Sequence, residues 1–141
     1  MLMSTFTLAQ ANRALAYVRP ICEELRQAHV RFSDLRRSLL PQNSPLGEER
    51  GKLIDELNGV KDLILRGCDE LEKAGVQVKS LERGLVDFPY KRADGQIVLL
   101  CWILGEGGIS HWHDRETGFG GRQPLDTLET APVSSVPETQ S

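Results

Sequence analysis

The chain of 141 residues carries 17 lysines and arginines against 20 aspartates and glutamates, a formal net charge of −3. This balance argues against a general nucleic-acid binder, which would show an excess of basic residues. Hydrophobic residues make up 40% of the chain, as in soluble proteins with a core. The longest uncharged apolar run, 97–104, is far shorter than the ~20 residues that span a bilayer. We therefore expect a soluble protein that binds neither nucleic acid nor membranes.

The cysteines and the N-terminus both predict a cytoplasmic location. Cys22, Cys68 and Cys101 are odd in number and lack a close pair spacing, which is typical of a reducing compartment. The first five residues contain no basic patch followed by an apolar stretch, so we expect no secretory signal.

Two long amphipathic segments predict a helical hairpin over residues 7–75. Residues 7–40 repeat apolar side chains in steps of three and four, and Thr7 and Gln10 have the spacing of a capping box. A second heptad stripe runs from about 46 to 74 and ends at Gly75. Because only the turn-like segment 41–45 joins them, we expect the two helices to be antiparallel.

Charge and uncovered apolar surface predict that this hairpin associates with another helix. The first helix carries six arginines against three acids, and the second carries five basic residues against eight acids. Opposite charges favour pairing of the two helices. A two-helix hairpin leaves part of each apolar stripe uncovered, so we expect a homodimer through the arm or a partner helix bound to it.

The second half of the chain predicts a small sheet. Strands are expected at 85–90, 97–104 and 109–113, with an Asp94-Gly95 hairpin turn. The middle segment is apolar at every position and should be covered on both faces. The fold class is therefore α+β: a long antiparallel helical hairpin packed on a three-stranded antiparallel β-meander.

The last sixteen residues, 126–141, contain no lysine, arginine or aromatic residue and include two prolines. Such a composition buries little apolar surface, so we expect a disordered C-terminal tail. Residues 1–125 then form one α+β domain, with the hairpin arm at 7–75 and the meander and glycine-rich loop at 76–125.

Two histidines predict a candidate metal site. His111 and His113 stand two apart on a strand and share one face, which suits two imidazoles on one zinc or iron ion. If 106–108 form a three-residue loop, Cys101 lies opposite His113 and joins them; a loop of two or four residues turns Cys101 to the other face. The structural alternative is an exposed His111 and a hydrogen-bonded His113.

Two further charged residues have both a functional and a structural interpretation. Asp87 lies inside an apolar strand, where it could act as a base or metal ligand, or pair with an arginine or backbone amides. Arg122 ends the glycine-rich loop 118–124, which could hold a phosphate or carboxylate. Alternatively, Arg122 pairs with Asp87 or Glu106 and attaches the loop to the sheet.

Linked motifs resemble the bacterial family called domain of unknown function 2203. The resemblance covers most of residues 5–125 and rests on the motifs Gly84-Leu-Val-Asp-Phe-Pro89, Leu100-Cys-Trp102, Leu104-Gly-Glu106, Trp112-His113 and Gly118-Phe-Gly-Gly-Arg-Gln-Pro-Leu125, with Thr7–Asn12 as the opening helix. The family has an aromatic residue where this chain has His111, so a shared metal site could rely only on His113. The polar residues of the motifs are Asp87, Glu106, His113 and Arg122.

The sequence is compatible with two alternative functions of different classes. The first is a protein-interaction or self-association module that uses the hairpin. The second is a small metal- or anion-binding protein or enzyme, in which His113 is the acid/base or metal ligand, Asp87 orients it and Arg122 clamps an anion, with Glu106 as the fourth candidate.

Overall fold

Two long helices form the predicted antiparallel hairpin in the computed structural model, which describes residues 4–43 and 45–133. Helix α1 spans Leu8–Ser38 and helix α2 spans Gly47–Lys73. The predicted capping box begins α1: the Gln10 backbone N–H donates to Thr7 Oγ1 at 3.0 Å, and the Thr7 backbone N–H donates to Gln10 Oε1 at 2.9 Å. An ion pair between Arg31 and Glu56 joins the two helices further out.

The sheet has five strands, so the prediction of three was wrong in number although right in its antiparallel order. The strands are β1 Gln77–Ser80, β2 Leu85–Lys91, β3 Ile97–Ile103, β4 His111–His113 and β5 Gln123–Pro124, and they pair in chain order. The two additional strands are the short edges, β1 and β5. Each is polar and two to four residues long, so neither shows the apolar run on which the other three strands were predicted.

The two faces of the sheet have different environments. Val86, Phe88 and Trp102 belong to the same buried cluster as Leu15 and Val18 of α1, so this face packs on the helix. The alternate residues of β2 and β3 point to the opposite face, and those in the middle of the face, Asp87, Leu99 and Cys101, are also buried. Coverage of β3 on both faces was predicted and is confirmed.

The segment after β4 folds back over the face that is turned away from α1. Its Arg122 donates a hydrogen bond to the carbonyl oxygen of Cys101 at 3.3 Å. The guanidinium groups of Arg122 and Arg83 lie over the Phe119 ring, at 4.7 and 4.2 Å from its centroid. The glycine-rich loop therefore closes this side of the sheet.

The tail prediction is wrong for its first part. Residues 126–133 pack on the body: Leu128 is buried, and the Arg92 side chain donates to the carbonyl oxygen of Ala131 at 2.7 Å. Composition missed this because a few single contacts anchor the segment. Leu128 belongs to the core, Ala131 offers a backbone carbonyl, and the Glu129 carboxylate accepts hydrogen bonds from the body. Residues 134–141 lie outside the described residues.

The hairpin extends beyond the sheet. The buried cluster shared with the sheet reaches Leu25 on α1 and includes Leu71 on α2, whereas Ala28 and Leu35 are buried outside it. We call residues 26–43 and 45–63 the distal arm. Its part of α1 is about 20 Å long at ~1.5 Å per residue. Neither described helix combines the length and apolarity that a membrane crossing requires.

Candidate functional site

Asp87 and His113 form a buried pair on the face of the sheet turned away from α1. His113 Nε2 lies 3.1 Å from each carboxylate oxygen of Asp87. The ammonium nitrogen of Lys79 lies 3.9 Å from Asp87 Oδ2. The buried carboxylate is thus paired, as charge burial demands, and its partners are an imidazole and an ammonium group.

The other ring nitrogen of His113 fixes the orientation of the imidazole. His113 Nδ1 lies 2.7 Å from the backbone carbonyl oxygen of Asp114. A carbonyl oxygen only accepts hydrogen bonds, so Nδ1 carries a hydrogen and Nε2 is the nitrogen directed at Asp87.

These contacts control the protonation of His113. Burial alone lowers the pKa of His113, but hydrogen bonds to Asp87, Cys101 and the Asp114 carbonyl outweigh it and raise the pKa from 6.5 to about 10. The ring is therefore an imidazolium at neutral pH when nothing else occupies the position between Nε2 and the carboxylate.

Cys101 lies on the same face as His113, one of the two arrangements left open by the sequence. In the observed register Cys101 lies opposite His111, and Leu99 lies opposite His113. The pairing expected for a three-residue loop, with Cys101 opposite His113, is thus shifted by two residues. A shift of two keeps a side chain on its face. Cys101 also lies directly opposite Asp87 on β2, so it joins the Asp87–His113 pair.

Glu106 and Arg122 form a second pair. Arg122 Nη2 lies 2.9 Å from both carboxylate oxygens of Glu106, and Glu106 Oε1 also accepts from the backbone N–H of Ile103 at 3.0 Å. Of the alternatives for Arg122, the structure places it with Glu106 and not with Asp87. The pair attaches the glycine-rich loop to the end of β3, and it neutralises the guanidinium that an anion would need.

His111 lies beside the second pair. Its Nδ1 is 2.9 Å from Ser110 Oγ and 3.9 Å from Glu106 Oε2. The structure therefore brings together two of the three predicted metal ligands, Cys101 and His113, and replaces His111 by Asp87.

Both tryptophans fill the core. Trp102 Nε1 donates to the carbonyl oxygen of Glu106 at 3.1 Å, and Trp112 Nε1 donates to Thr127 Oγ1 at 3.0 Å. Each ring is fully buried and has its polar atom satisfied, as buried tryptophans usually do.

The four catalytic candidates thus form two separate pairs, Asp87 with His113 and Glu106 with Arg122. The cavity of about 950 Å³ where α2 meets β1 is lined by other residues, among them Cys68, Glu72 and Lys79.

Sequence reasoning missed two contributors to the Asp87–His113 pair. Lys79 lies on the unrecognised strand β1, whose only signal is the alternation of Val76 and Val78 with polar residues. Asp114 contributes a backbone carbonyl, which residue type does not reveal. Its carboxylate accepts from the Thr117 backbone N–H at 2.8 Å, a local turn that the Asp-x-x-Thr spacing could have indicated.

A comparison with protein families confirms the resemblance noted from the motifs. The family model described as "Uncharacterized conserved protein (DUF2203)" matches residues 4–125. The chain belongs to this family. No curated protein and no solved structure gives a match. The family assignment covers both helices and the whole sheet, including Asp87, Cys101 and His113.

Proposed function

We propose that this DUF2203 protein is a self-association module whose distal arm packs on the distal arm of a second copy. The observation that supports it is the position of exposed apolar side chains. Six large apolar residues in the described chain are exposed, and four of them, Val30, Leu40, Leu46 and Ile54, lie in the distal arm or its turn. Scattered single residues need no explanation, but concentration at one end is typical of an interaction surface.

The incomplete coverage of α2 points the same way. Of its 27 residues only Leu71 is buried, and Leu71 belongs to the body. Leu53, Leu57 and Val60 continue the heptad stripe into the distal arm but remain half-exposed. Burying a fully exposed side chain of this kind is worth about 1.5–3 kcal/mol, so covering the exposed part of a half-exposed one is worth a share of that. A second hairpin would provide this cover in a four-helix arrangement.

Charge favours a second copy of this chain as the partner. Helix α1 has six arginines against three acids, and α2 has five basic residues against eight acids. When two hairpins pack so that α1 of one lies beside α2 of the other, opposite charges meet across the interface. The Arg31–Glu56 pair shows the same complementarity within one hairpin.

Sedimentation of the full chain tests the proposal. We expect the wild type to be a dimer, and Val30→Glu and Ile54→Glu each to weaken dimerisation at least about tenfold, because a charge at an apolar contact costs more than ~1.4 kcal/mol. Val30 is 55% and Ile54 36% exposed in the single chain, so both variants should keep their helix content by circular dichroism.

Tyr17→Glu is the matched control. Like Val30 and Ile54, Tyr17 is a large apolar side chain on the surface, 39% exposed, but it lies outside the distal arm. Its variant should dimerise like the wild type. A wild type that stays monomeric at every concentration, or distal-arm variants that dimerise as well as Tyr17→Glu, would refute the proposal.

A further inference from the structure

Three side chains of different types that can each bind a metal ion come together on the buried face of the sheet that is turned away from α1. Asp87 on β2, Cys101 on β3 and His113 on β4 each offer one ligand atom, and these atoms lie within 4.8 Å of one another. Their residues are 1%, 0% and 3% exposed. Neighbouring strands hold each of them, so the positions of their backbones are set by the pairing of the sheet.

The hydrogen bond from Nδ1 of His113 directs its other ring nitrogen, Nε2, at Asp87. Nδ1 donates to the Asp114 carbonyl, which leaves Nε2 facing the two carboxylate oxygens of Asp87. A neutral ring in this orientation would place a lone pair against a carboxylate, so a positive centre has to lie between them. A proton provides this centre, and so does a metal ion; histidine ligands of metals commonly donate their second N–H to a carbonyl in this way.

We propose that Asp87, Cys101 and His113 bind one divalent transition-metal ion, for which zinc fits best. Thiolate and imidazole ligands select zinc or ferrous iron over magnesium and calcium, which prefer oxygen donors. Three protein donors leave one position of a tetrahedral ion for a solvent molecule. The charges of the carboxylate and the thiolate balance those of the ion, and binding displaces one proton from Nε2 and one from the thiol.

Lys79 marks the side from which an ion reaches this site. Its ammonium group lies 3.9 Å from Asp87 Oδ2, and its side chain is 43% exposed. The Asp87 end of the cluster therefore lies just below the surface beside β1, and movement of one lysine side chain opens it. The site is independent of the distal arm, so its failure and that of the self-association proposal are distinguishable.

Cobalt substitution of the full chain tests the site. We expect protein dialysed against chelator to bind one equivalent of zinc alone, with a raised melting temperature because the ion binds the folded state. When cobalt replaces zinc, the protein should show a thiolate-to-metal charge-transfer absorption, which requires a coordinated cysteine. Cys101→Ser should abolish that absorption, and His113→Gln should lower zinc affinity by more than the roughly 10–100-fold that loss of an outer contact costs.

Two variants are matched controls. Cys68→Ser removes a half-buried cysteine outside the cluster, and His111→Gln removes the neighbouring histidine. Both should retain the absorption and the stoichiometry. Absence of the cobalt absorption in the wild type, or its survival in Cys101→Ser, would overturn the site; the wild-type spectrum decides even if Cys101→Ser does not fold.

Discussion

At the scale of single residues, the Asp87–His113 pair links the site to stability. The carboxylate and the Asp114 carbonyl hold the imidazolium form of His113 in the folded chain, and unfolding removes both partners. Any condition that removes the proton from Nε2, in the absence of a metal ion, leaves a buried carboxylate next to a lone pair, which is costly.

The metal-free protein should lose stability as pH rises. The folded-state pKa of His113, about 10, lies above the unfolded value of 6.5, so the stabilisation is complete below pH 6.5 and is lost as pH rises through about 10. Denaturant unfolding across this window should show a falling free energy of unfolding in chelator-treated wild type. Asp87→Asn removes the main partner of the imidazolium and should flatten that slope, whereas His111→Gln should keep it. Parallel slopes for wild type and Asp87→Asn would contradict this account.

At the scale of elements, two glycines of α2 show how the helices approach each other. Gly67 lies against α1, where an added Cβ would come within 2.7 Å of Leu25 Cδ2, and Leu25 is itself buried. At Gly59 an added Cβ would meet nothing within 4 Å. Gly67 therefore marks a close contact between α2 and α1, whereas Gly59 makes no such contact in the single chain.

Alanine at the two positions should therefore act in opposite directions. Gly59→Ala removes the conformational freedom of glycine in a helix and should stabilise the protein by about 0.5–1 kcal/mol. Gly67→Ala gains the same propensity but forces Leu25 from a packed position, so it should destabilise by about 1 kcal/mol or more. Urea unfolding of both variants measures the difference, and equal free energies of unfolding would show that the helices do not pack closely at Gly67.

Elements were predictable where one residue pattern carried the information. The hairpin was expected at 7–40 and 46–74 and observed at Leu8–Ser38 and Gly47–Lys73, because the heptad stripe and the cap are local signals. Strands β1 and β5 were missed because both are short and lack an apolar run, so only their pairing with the neighbouring β2 and β4 defines them as strands. Likewise, residue type selected Asp87 and His113, but the strand partners in register are Asp87, Cys101 and His111. Only the side-chain positions show that His113, and not His111, joins Asp87 and Cys101.

At the scale of the whole molecule, the chain divides into a distal arm that presents apolar surface and a body closed by its C-terminal segment. Arg92 donates to the carbonyl oxygens of Glu129 and Ala131. The Glu129 carboxylate accepts from the Tyr90 hydroxyl and from the Ala93 backbone N–H. Leu128 belongs to the buried core cluster, so polar contacts and one apolar side chain together hold the segment on the body. We call residues 126–133 the clasp.

The clasp should open in acid. The hydrogen bonds from Tyr90 and the Ala93 amide lower the pKa of Glu129 below its ordinary value of 4.5. The carboxylate therefore stabilises the clasp above about pH 4.5, and this contribution is lost as pH falls through the lowered folded-state pKa. Hydrogen exchange should show falling protection of the amides of Leu128, Thr130 and Ala131 in acid, after correction for intrinsic rates. Glu129→Gln should lower this protection already at neutral pH, whereas Asp126→Asn, which removes an exposed carboxylate of the same segment, should not. Unchanged protection in Glu129→Gln would mean that Arg92 and Leu128 hold the segment without the carboxylate.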